Sequence, residues 1–169
     1  MERKEKVLLA AHWARELDAD GLARVVEAMV FRSYPKGTIV IELGEMFDPW
    51  VGVVDGLLKM RTLSVDGKEV SFAGLHAGAW FGEGSVLKQE ARQYEIVALR
   101  DSELALLNRD TFMWLLDHSA EFSRFLVYQF NPNVRNFLTP HFPRIDHAME
   151  WWNVPPAQLW WAWKDAPAD

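Results

Sequence analysis

The hydrophobic positions of the chain follow a helical period at both ends of its first 130 residues. Over residues 5–31 apolar side chains recur every three or four positions, with a break near Asp20-Gly21. From Arg109 the helical spacing returns and continues to Phe130. We therefore predict helices at both ends of a folded unit, with one interruption in the N-terminal helical stretch.

Between these ends, from Arg32 to about Asn108, the apolar runs are short and rich in β-branched and aromatic residues. Turn signals separate them at Lys36-Gly37, Asp55-Gly56 and Asp66-Gly67, and an Asp-Gly pair tolerates the positive φ of a tight hairpin. Such spacing is typical of an antiparallel sandwich or barrel, so the predicted fold is mainly β with flanking helices. The predicted strands are Arg32–Tyr34, Ile39–Glu42, Val51–Asp55, Leu57–Leu63, Glu69–Leu75, Glu95–Ala98 and Ser102–Asn108.

Composition divides the chain near Asn131-Pro132. All ten glycines lie between Gly21 and Gly84, whereas six of the eight prolines follow Asn131. Five of the nine tryptophans fall between Trp151 and Trp163. We therefore expect one folded domain over residues 1–130 and a Pro/Trp-rich tail within residues 131–169. The tail is either an apolar arm, which docks on a partner or on the domain, or a segment of non-native origin.

Charge and cysteine usage exclude several classes of protein. A net charge of −6, with a pI near 5.4, argues against broad binding to phosphate backbones. The chain has no cysteine, and no apolar run approaches the ~20 residues that cross a bilayer. We therefore expect a cytoplasmic protein that binds no membrane and, through this chain alone, no nucleic acid.

Catalytic and metal-binding patterns are not evident in the sequence. There is no Gly-x-Ser-x-Gly motif and no pair of carboxylates placed for acid–base work. The histidines lack the spacing of metal ligands, and the one cluster, His141 with Asp146-His147, falls in the tail. His76 is a candidate axial ligand if the domain is a haem sensor. We expect a protein that is not an enzyme and holds no metal ion.

The glycine-rich stretch from Gly78 to Arg92 is the most informative part of the sequence. A glycine turn that opens a helical turn exposes backbone N–H groups, which can hold an anionic oxygen. Glu83 within that turn can accept hydrogen bonds from ribose hydroxyls, and Arg92 can return to pair with a phosphate. Alternatively, the glycines only build a corner, and Glu83 and Arg92 form a structural ion pair.

Residues 8–130 resemble the cyclic-nucleotide-binding domain of the Crp–Fnr family of bacterial transcription regulators. The resemblance implies an eight-stranded β-roll, a double-stranded β-helix of the jelly-roll kind, followed by a long helix near residues 110–138 that pairs with its copy in a dimer. The matching pieces, in order, are Arg32-Ser-Tyr-Pro-Lys-Gly-Thr-Ile-Val, Gly44-Glu, Gly52-Val-Val-Asp-Gly56, Asp66-Gly-Lys-Glu, Gly78-Ala-Trp-Phe-Gly-Glu83, Val97-Ala-Leu and the segment from Glu103-Leu to Phe112.

The resemblance also implies a phosphate-binding cassette from Phe81 to Arg92. In the family the cassette glutamate takes the ribose 2′-hydroxyl and the cassette arginine takes the cyclic phosphate, positions that Glu83 and Arg92 match here. Where the family has small residues after the arginine, this chain has Gln93-Tyr94, and Tyr94 is bulky enough to fill the pocket. The candidate ligand-binding residues are Phe81, Gly82, Glu83, Gly84, Ser85, Arg92 and Gln93.

The expected function is effector sensing by a Crp–Fnr-type regulator that lacks a recognisable winged helix-turn-helix. The effector would be cyclic AMP, cyclic GMP or a related small anion, with no other cofactor, and the signal would pass through the helix of a homodimer. The alternative is a β-roll that has lost ligand binding and serves as a protein-interaction or dimerisation module.

Overall fold

Two four-stranded antiparallel sheets with helices at both ends make up the fold of the computed structural model, which describes residues 2–15, 17–63 and 69–130. The helices are α1 (Glu2–Ala10), a 3₁₀ turn (His12–Ala14), α2 (Ala19–Ala28), α3 (Glu83–Lys88), α4 (Arg109–His118) and α5 (Ala120–Phe130). The strands are β1 (Val30–Tyr34), β2 (Ile39–Ile41), β3 (Trp50–Asp55), β4 (Leu57–Leu63), β5 (Glu69–His76), β6 (Trp80–Phe81), β7 (Glu95–Ala98) and β8 (Ser102–Leu107).

The strands pair in the order β1-β8-β3-β6 in one sheet and β2-β7-β4-β5 in the other. All seven predicted strands are present within a residue or two at most bounds, and β6 is the eighth that the resemblance implied. The turn at Lys36-Gly37 joins β1 to β2, and that at Asp55-Gly56 joins β3 to β4. The third predicted turn, Asp66-Gly67, lies outside the described residues. The prediction of a mainly β fold with flanking helices is confirmed.

Two apolar clusters stabilise this arrangement. One lies between the two sheets and includes Ile41, Leu58 and Ile96, which are fully buried. The other joins the helices to the first sheet and is rich in aromatic rings; its centre is Trp50, whose ring centre lies 4.8 Å from that of Trp13 and 4.5 Å from that of Trp80. Since β3 carries Trp50, this aromatic cluster connects the β-roll to the terminal helices.

The N-terminal helical stretch is interrupted earlier than the sequence predicted. The break precedes Asp18, whose side chain accepts a hydrogen bond from the Gly21 N–H (2.8 Å) and so caps α2. Gly21 itself lies inside α2 and is buried, so the interruption is present but lies a few residues before the position predicted near Asp20-Gly21. An Asp cap satisfies an otherwise unpaired N–H of the first turn, which fixes the start of the helix there.

The C-terminal helical region is two helices rather than the first part of one long helix. α4 ends at His118, and the Ser119 hydroxyl accepts a hydrogen bond from the Phe122 N–H (3.1 Å) at the start of α5. Both helices bury aromatic residues, Phe112 and Phe122, in the aromatic cluster. The prediction of one long helix near residues 110–138 is therefore wrong for the part that ends at residue 130. Its remainder and the tail of residues 131–169 lie outside the described residues.

No helix in the described ranges is both long and apolar enough to span a membrane.

Candidate functional site

The glycine-rich turn leads into helix α3, as the sequence predicted. Gly82 adopts a left-handed conformation (φ 95°) as the residue before α3, and Val86 N–H donates to its carbonyl oxygen at 3.1 Å. Phe81 before the turn and Val86 within the helix are both buried, at 5% and 1% exposure. These two apolar anchors hold the turn against the β-roll, and they fix where Glu83 begins the helix.

Arg92 is completely buried, and its guanidinium group connects three separate segments. Nη2 donates to the carbonyl oxygens of Phe47 and Pro49, both at 2.9 Å, in the loop between β2 and β3. Nη1 donates to the Gly82 carbonyl at 3.1 Å and to the Tyr94 hydroxyl at 3.3 Å. The guanidinium carbon also lies 5.5 Å from the centre of the Phe47 ring, within cation–π range.

Glu83 directs its carboxylate towards helix α5. Its Oε1 accepts a hydrogen bond from Gln129 Nε2 at 3.1 Å, and Gln129 is itself only 5% exposed. Burial raises the pKa of the Glu83 carboxyl above its ordinary value of 4.5, although hydrogen bonding from its own backbone N–H and Gln129, together with the Trp50 indole and the positive charge of Arg92, acts in the opposite direction. The cassette is thus joined to α5 through one buried polar contact.

No ion pair links Glu83 to Arg92 in the part of the chain that the structure describes. The ion pair of the alternative interpretation is therefore not formed, because Arg92 is held by carbonyl and hydroxyl oxygens instead. Each residue keeps one buried polar atom with no partner at hydrogen-bond distance, Oε2 of Glu83 and Nε of Arg92, as do the indole nitrogens of Trp13 and Trp50 in the aromatic cluster. Buried polar atoms without partners are unusual in native proteins, and a water molecule or a ligand group can supply the missing partner.

The other predicted site residues differ in how close they come to this pair. Gly84 and Ser85 lie half-buried on the first turn of α3, directly after Glu83. Gln93 follows Arg92 in sequence, yet its side chain is exposed and donates to the Ala91 carbonyl at 3.0 Å. The structure therefore brings Gly82 and Glu83 to Arg92 and places Gly84 and Ser85 next to them in sequence, whereas the Gln93 side chain bonds to local backbone.

Sequence reasoning missed three contributors to the site. Phe47 and Pro49 accept hydrogen bonds from Arg92 through backbone carbonyls, which any residue type would supply, so the sequence carries no signal for these hydrogen bonds. The position of Gln129, in contrast, did carry a signal in the sequence. It lies three and seven positions after the buried Leu126 and Phe122, so it is a polar side chain within the apolar stripe of a helix.

Other candidate sites lie apart from the cassette. A cavity of about 230 Å³ lies between α1, β3 and β6, with Lys6 among its lining residues and none of the cassette residues. Within the described ranges no three His, Asp or Glu side chains are grouped as metal ligands. His76 is exposed, with Nδ1 2.7 Å from the Ala77 carbonyl oxygen. His141 and the Asp146-His147 pair lie beyond residue 130.

The fold and this cassette define a known class of ligand-binding module. A family model described as "Cyclic nucleotide-binding domain" matches residues 31–119, which include all of the cassette. The chain belongs to the cyclic nucleotide-binding domain family.

Relatives of two kinds share this domain. The cAMP-dependent protein kinase regulatory subunit of Aspergillus niger is 30% identical over 110 residues, which are 65% of this chain and 26% of that protein. The Cyclic AMP receptor protein of Thermus thermophilus is 31% identical over 85 residues, 50% of this chain and 39% of that protein. The chain therefore spans well under half the length of these relatives.

A solved structure with the same fold is the regulatory domain of Toxoplasma gondii PKA, co-crystallised with cAMP. It is 26% identical to this chain, with a TM-score of 0.66, and the match covers 82% of this chain and 50% of that one. The resemblance to a cyclic nucleotide-binding domain is thus confirmed, while these relatives include both a Crp-type protein and kinase regulatory subunits.

Proposed function

We propose that this chain is a non-catalytic sensor module whose cassette binds a cyclic nucleotide, cyclic AMP or cyclic GMP, and that it belongs to a Crp–Fnr-type transcription regulator. The observation that carries the proposal is the pair of buried, oppositely charged groups at the cassette, Arg92 and Glu83, each with one unpartnered polar atom. A cyclic nucleotide presents both complements, an anionic phosphate for an arginine and a ribose hydroxyl for a carboxylate.

Ligand binding at the cassette would be reported to α5 through Gln129. Glu83 Oε1 already accepts a hydrogen bond from the Gln129 amide. A ribose hydroxyl that donates to the same carboxylate would draw negative charge away from Oε1 and so change the strength of that hydrogen bond. Since the contact is buried, it is sensitive to such a change. The proposed signal path is therefore from ribose to Glu83, then to Gln129 and α5.

Calorimetric titration with cyclic AMP and cyclic GMP tests this function. We expect the wild-type protein to bind at least one of them and to bind its 2′-deoxy analogue about tenfold more weakly, because Glu83 loses a hydroxyl donor. Glu83→Ala should bind the cyclic nucleotide and its 2′-deoxy analogue equally, since the acceptor is gone.

Glu27→Ala, which removes an exposed carboxylate from α2, is the matched control and should behave as wild type. A wild-type protein that binds neither cyclic nucleotide would contradict the proposed function.

The second candidate function is a protein-interaction or dimerisation module that has lost ligand binding. It is favoured by the four acceptors on Arg92, because the two terminal nitrogens of the guanidinium are already engaged within the protein. Absence of binding in the same titration, by a protein that melts cooperatively, would support this second function.

We also propose that the module is a homodimer joined along α5. Val127 and Phe130, three positions apart on this helix, are 53% and 44% exposed, so α5 presents two apolar side chains on one face to solvent. Light scattering at tens of micromolar is expected to give twice the 19.5 kDa mass of one chain. Val127→Asp should return the monomer, whereas Leu9→Asp, on the exposed face of α1, should not. A monomer mass for the wild-type protein would refute the dimer.

A further inference from the structure

The four acceptors on Arg92 are of two kinds. Three are backbone carbonyl oxygens, in the β2–β3 loop and at the residue before α3, and none of them can leave without moving the main chain. The fourth is the Tyr94 hydroxyl, which accepts from Nη1 at 3.3 Å. It is the longest of the four hydrogen bonds and the one that a side-chain rotation can break. Tyr94 is therefore the replaceable partner of Arg92.

Two hydrogen bonds hold the main chain at Arg92 in place. A ligand that approaches the cassette therefore meets a guanidinium group whose position is fixed. Arg92 N–H donates to the Glu45 carbonyl at 2.9 Å, and the Arg92 carbonyl accepts from the Gly44 N–H at 2.8 Å. Tyr94, by contrast, is only partly buried and packs at the border of the cluster between the two sheets. Burial raises the pKa of the Tyr94 hydroxyl, which keeps it neutral.

A neutral hydroxyl is a weaker partner for a guanidinium than an anionic oxygen. Charge-assisted hydrogen bonds are roughly twice as strong as neutral ones. A phosphate oxygen that reaches Nη1 would therefore bind it more strongly than the Tyr94 hydroxyl does. An uncharged ligand would gain nothing by displacing Tyr94. The arrangement selects for anions.

We propose that Tyr94 is an internal ligand of Arg92, which a phosphate-bearing ligand must displace, so that Tyr94 sets the affinity and the charge selectivity of the cassette. This inference rests on the proposed function, because it concerns the same site. It assigns a role to a residue that the predicted binding set did not include.

The test compares calorimetric titrations of wild type, Tyr94→Phe and Tyr94→Thr with cyclic AMP and adenosine. Tyr94→Phe keeps the ring and removes the acceptor, so cyclic AMP should bind about tenfold more tightly. Tyr94→Thr also removes the ring, and its gain should be at least as large. Adenosine, which lacks the phosphate, should gain less than threefold in either variant. Thermal melting of each variant establishes that it is folded.

Tyr34 supplies the matched controls, because it is also partly buried against the cluster between the sheets. Tyr34→Phe and Tyr34→Thr should leave the affinity for cyclic AMP within twofold of wild type. Equal gains for adenosine and cyclic AMP in Tyr94→Thr would overturn the proposal, since the ring would then only block space. Weaker binding by Tyr94→Phe would overturn it too, because Tyr94 would be a contact for the ligand.

The outcomes separate this proposal from the proposed function. If wild type binds cyclic AMP and the Tyr94 variants bind it equally well, the function stands and the role of Tyr94 is refuted. If wild type fails to bind but Tyr94→Thr does, the function is refuted for this chain and the role of Tyr94 is supported. If no variant binds, both are refuted.

Discussion

Replacing Arg92 with alanine is expected to lower the free energy of unfolding by about 3–5 kcal/mol, because it leaves several buried acceptors without donors. The guanidinium, which is 0% exposed, donates to the carbonyl oxygens of Phe47 and Pro49 and is a second donor to that of Gly82, which also accepts from the Val86 N–H. Each unsatisfied buried group costs about 1–3 kcal/mol. Urea unfolding monitored by tryptophan fluorescence measures the change, and Arg92→Lys should fall between wild type and alanine, since one ammonium group cannot reach all these acceptors.

Arg124→Ala is the control for loss of an arginine. That side chain is 61% exposed and pairs with Glu121 on the same helix, so its removal should change the free energy of unfolding by no more than about 0.5 kcal/mol. A loss below about 1 kcal/mol for Arg92→Ala would show that the Arg92 contacts contribute little. The expected loss also means that absent nucleotide binding in Arg92→Ala does not by itself identify a phosphate contact, so the Glu83 and Tyr94 variants are the sharper tests.

Most of the fold is encoded locally and was predictable for that reason. The turns at Lys36-Gly37 and Asp55-Gly56 and the short apolar runs between them specify hairpins without reference to the rest of the chain. Strand β6 was not predictable from periodicity, because two residues, Trp80 and Phe81, are too short to show a period. The prediction of an eighth strand came from the resemblance to a family.

The helix break at Ser119 shows how an apolar stripe conceals a boundary. Buried side chains continue from Phe112 and Leu115 on α4 to Phe122 and Leu126 on α5, so hydrophobic spacing alone predicts one helix. The signal that contradicts it is a single hydroxyl, because a serine before a helix caps its first turn. The local cap, and not the longer hydrophobic pattern, therefore determines where α4 ends and α5 begins.

The candidate site was predictable in its charged residues but not in their partners. A glycine turn followed by Glu83 and a returning Arg92 is a local pattern, and both residues do lie at the cassette. Their partners come from far along the chain: Phe47 lies 45 residues before Arg92, and Gln129 lies 46 residues after Glu83. Such contacts depend on how the sheets and α5 pack, which no window of sequence contains.

Gly82→Ala is expected to destabilise the protein by about 2–4 kcal/mol, the second large effect at the cassette. Gly82 has a φ of 95°, which costs a residue with a side chain about 1–2 kcal/mol. An added Cβ would also lie 2.3 Å from Nη1 of Arg92, so the buried guanidinium would have to shift away from its carbonyl acceptors. The strain and the displaced hydrogen bonds add to each other, and urea unfolding of the variant measures their sum.

Gly84→Ala, two residues further on, separates this effect from a general need for glycine in the turn. Gly84 lies within α3 without a positive φ, and nothing lies within 4 Å of an added Cβ. Because alanine favours the helix over glycine, Gly84→Ala should leave stability unchanged or raise it by up to about 1 kcal/mol. Equal losses for both variants would show that the close approach of Arg92 to Gly82 is not the cause of the loss, and they would indicate that the turn requires flexibility instead.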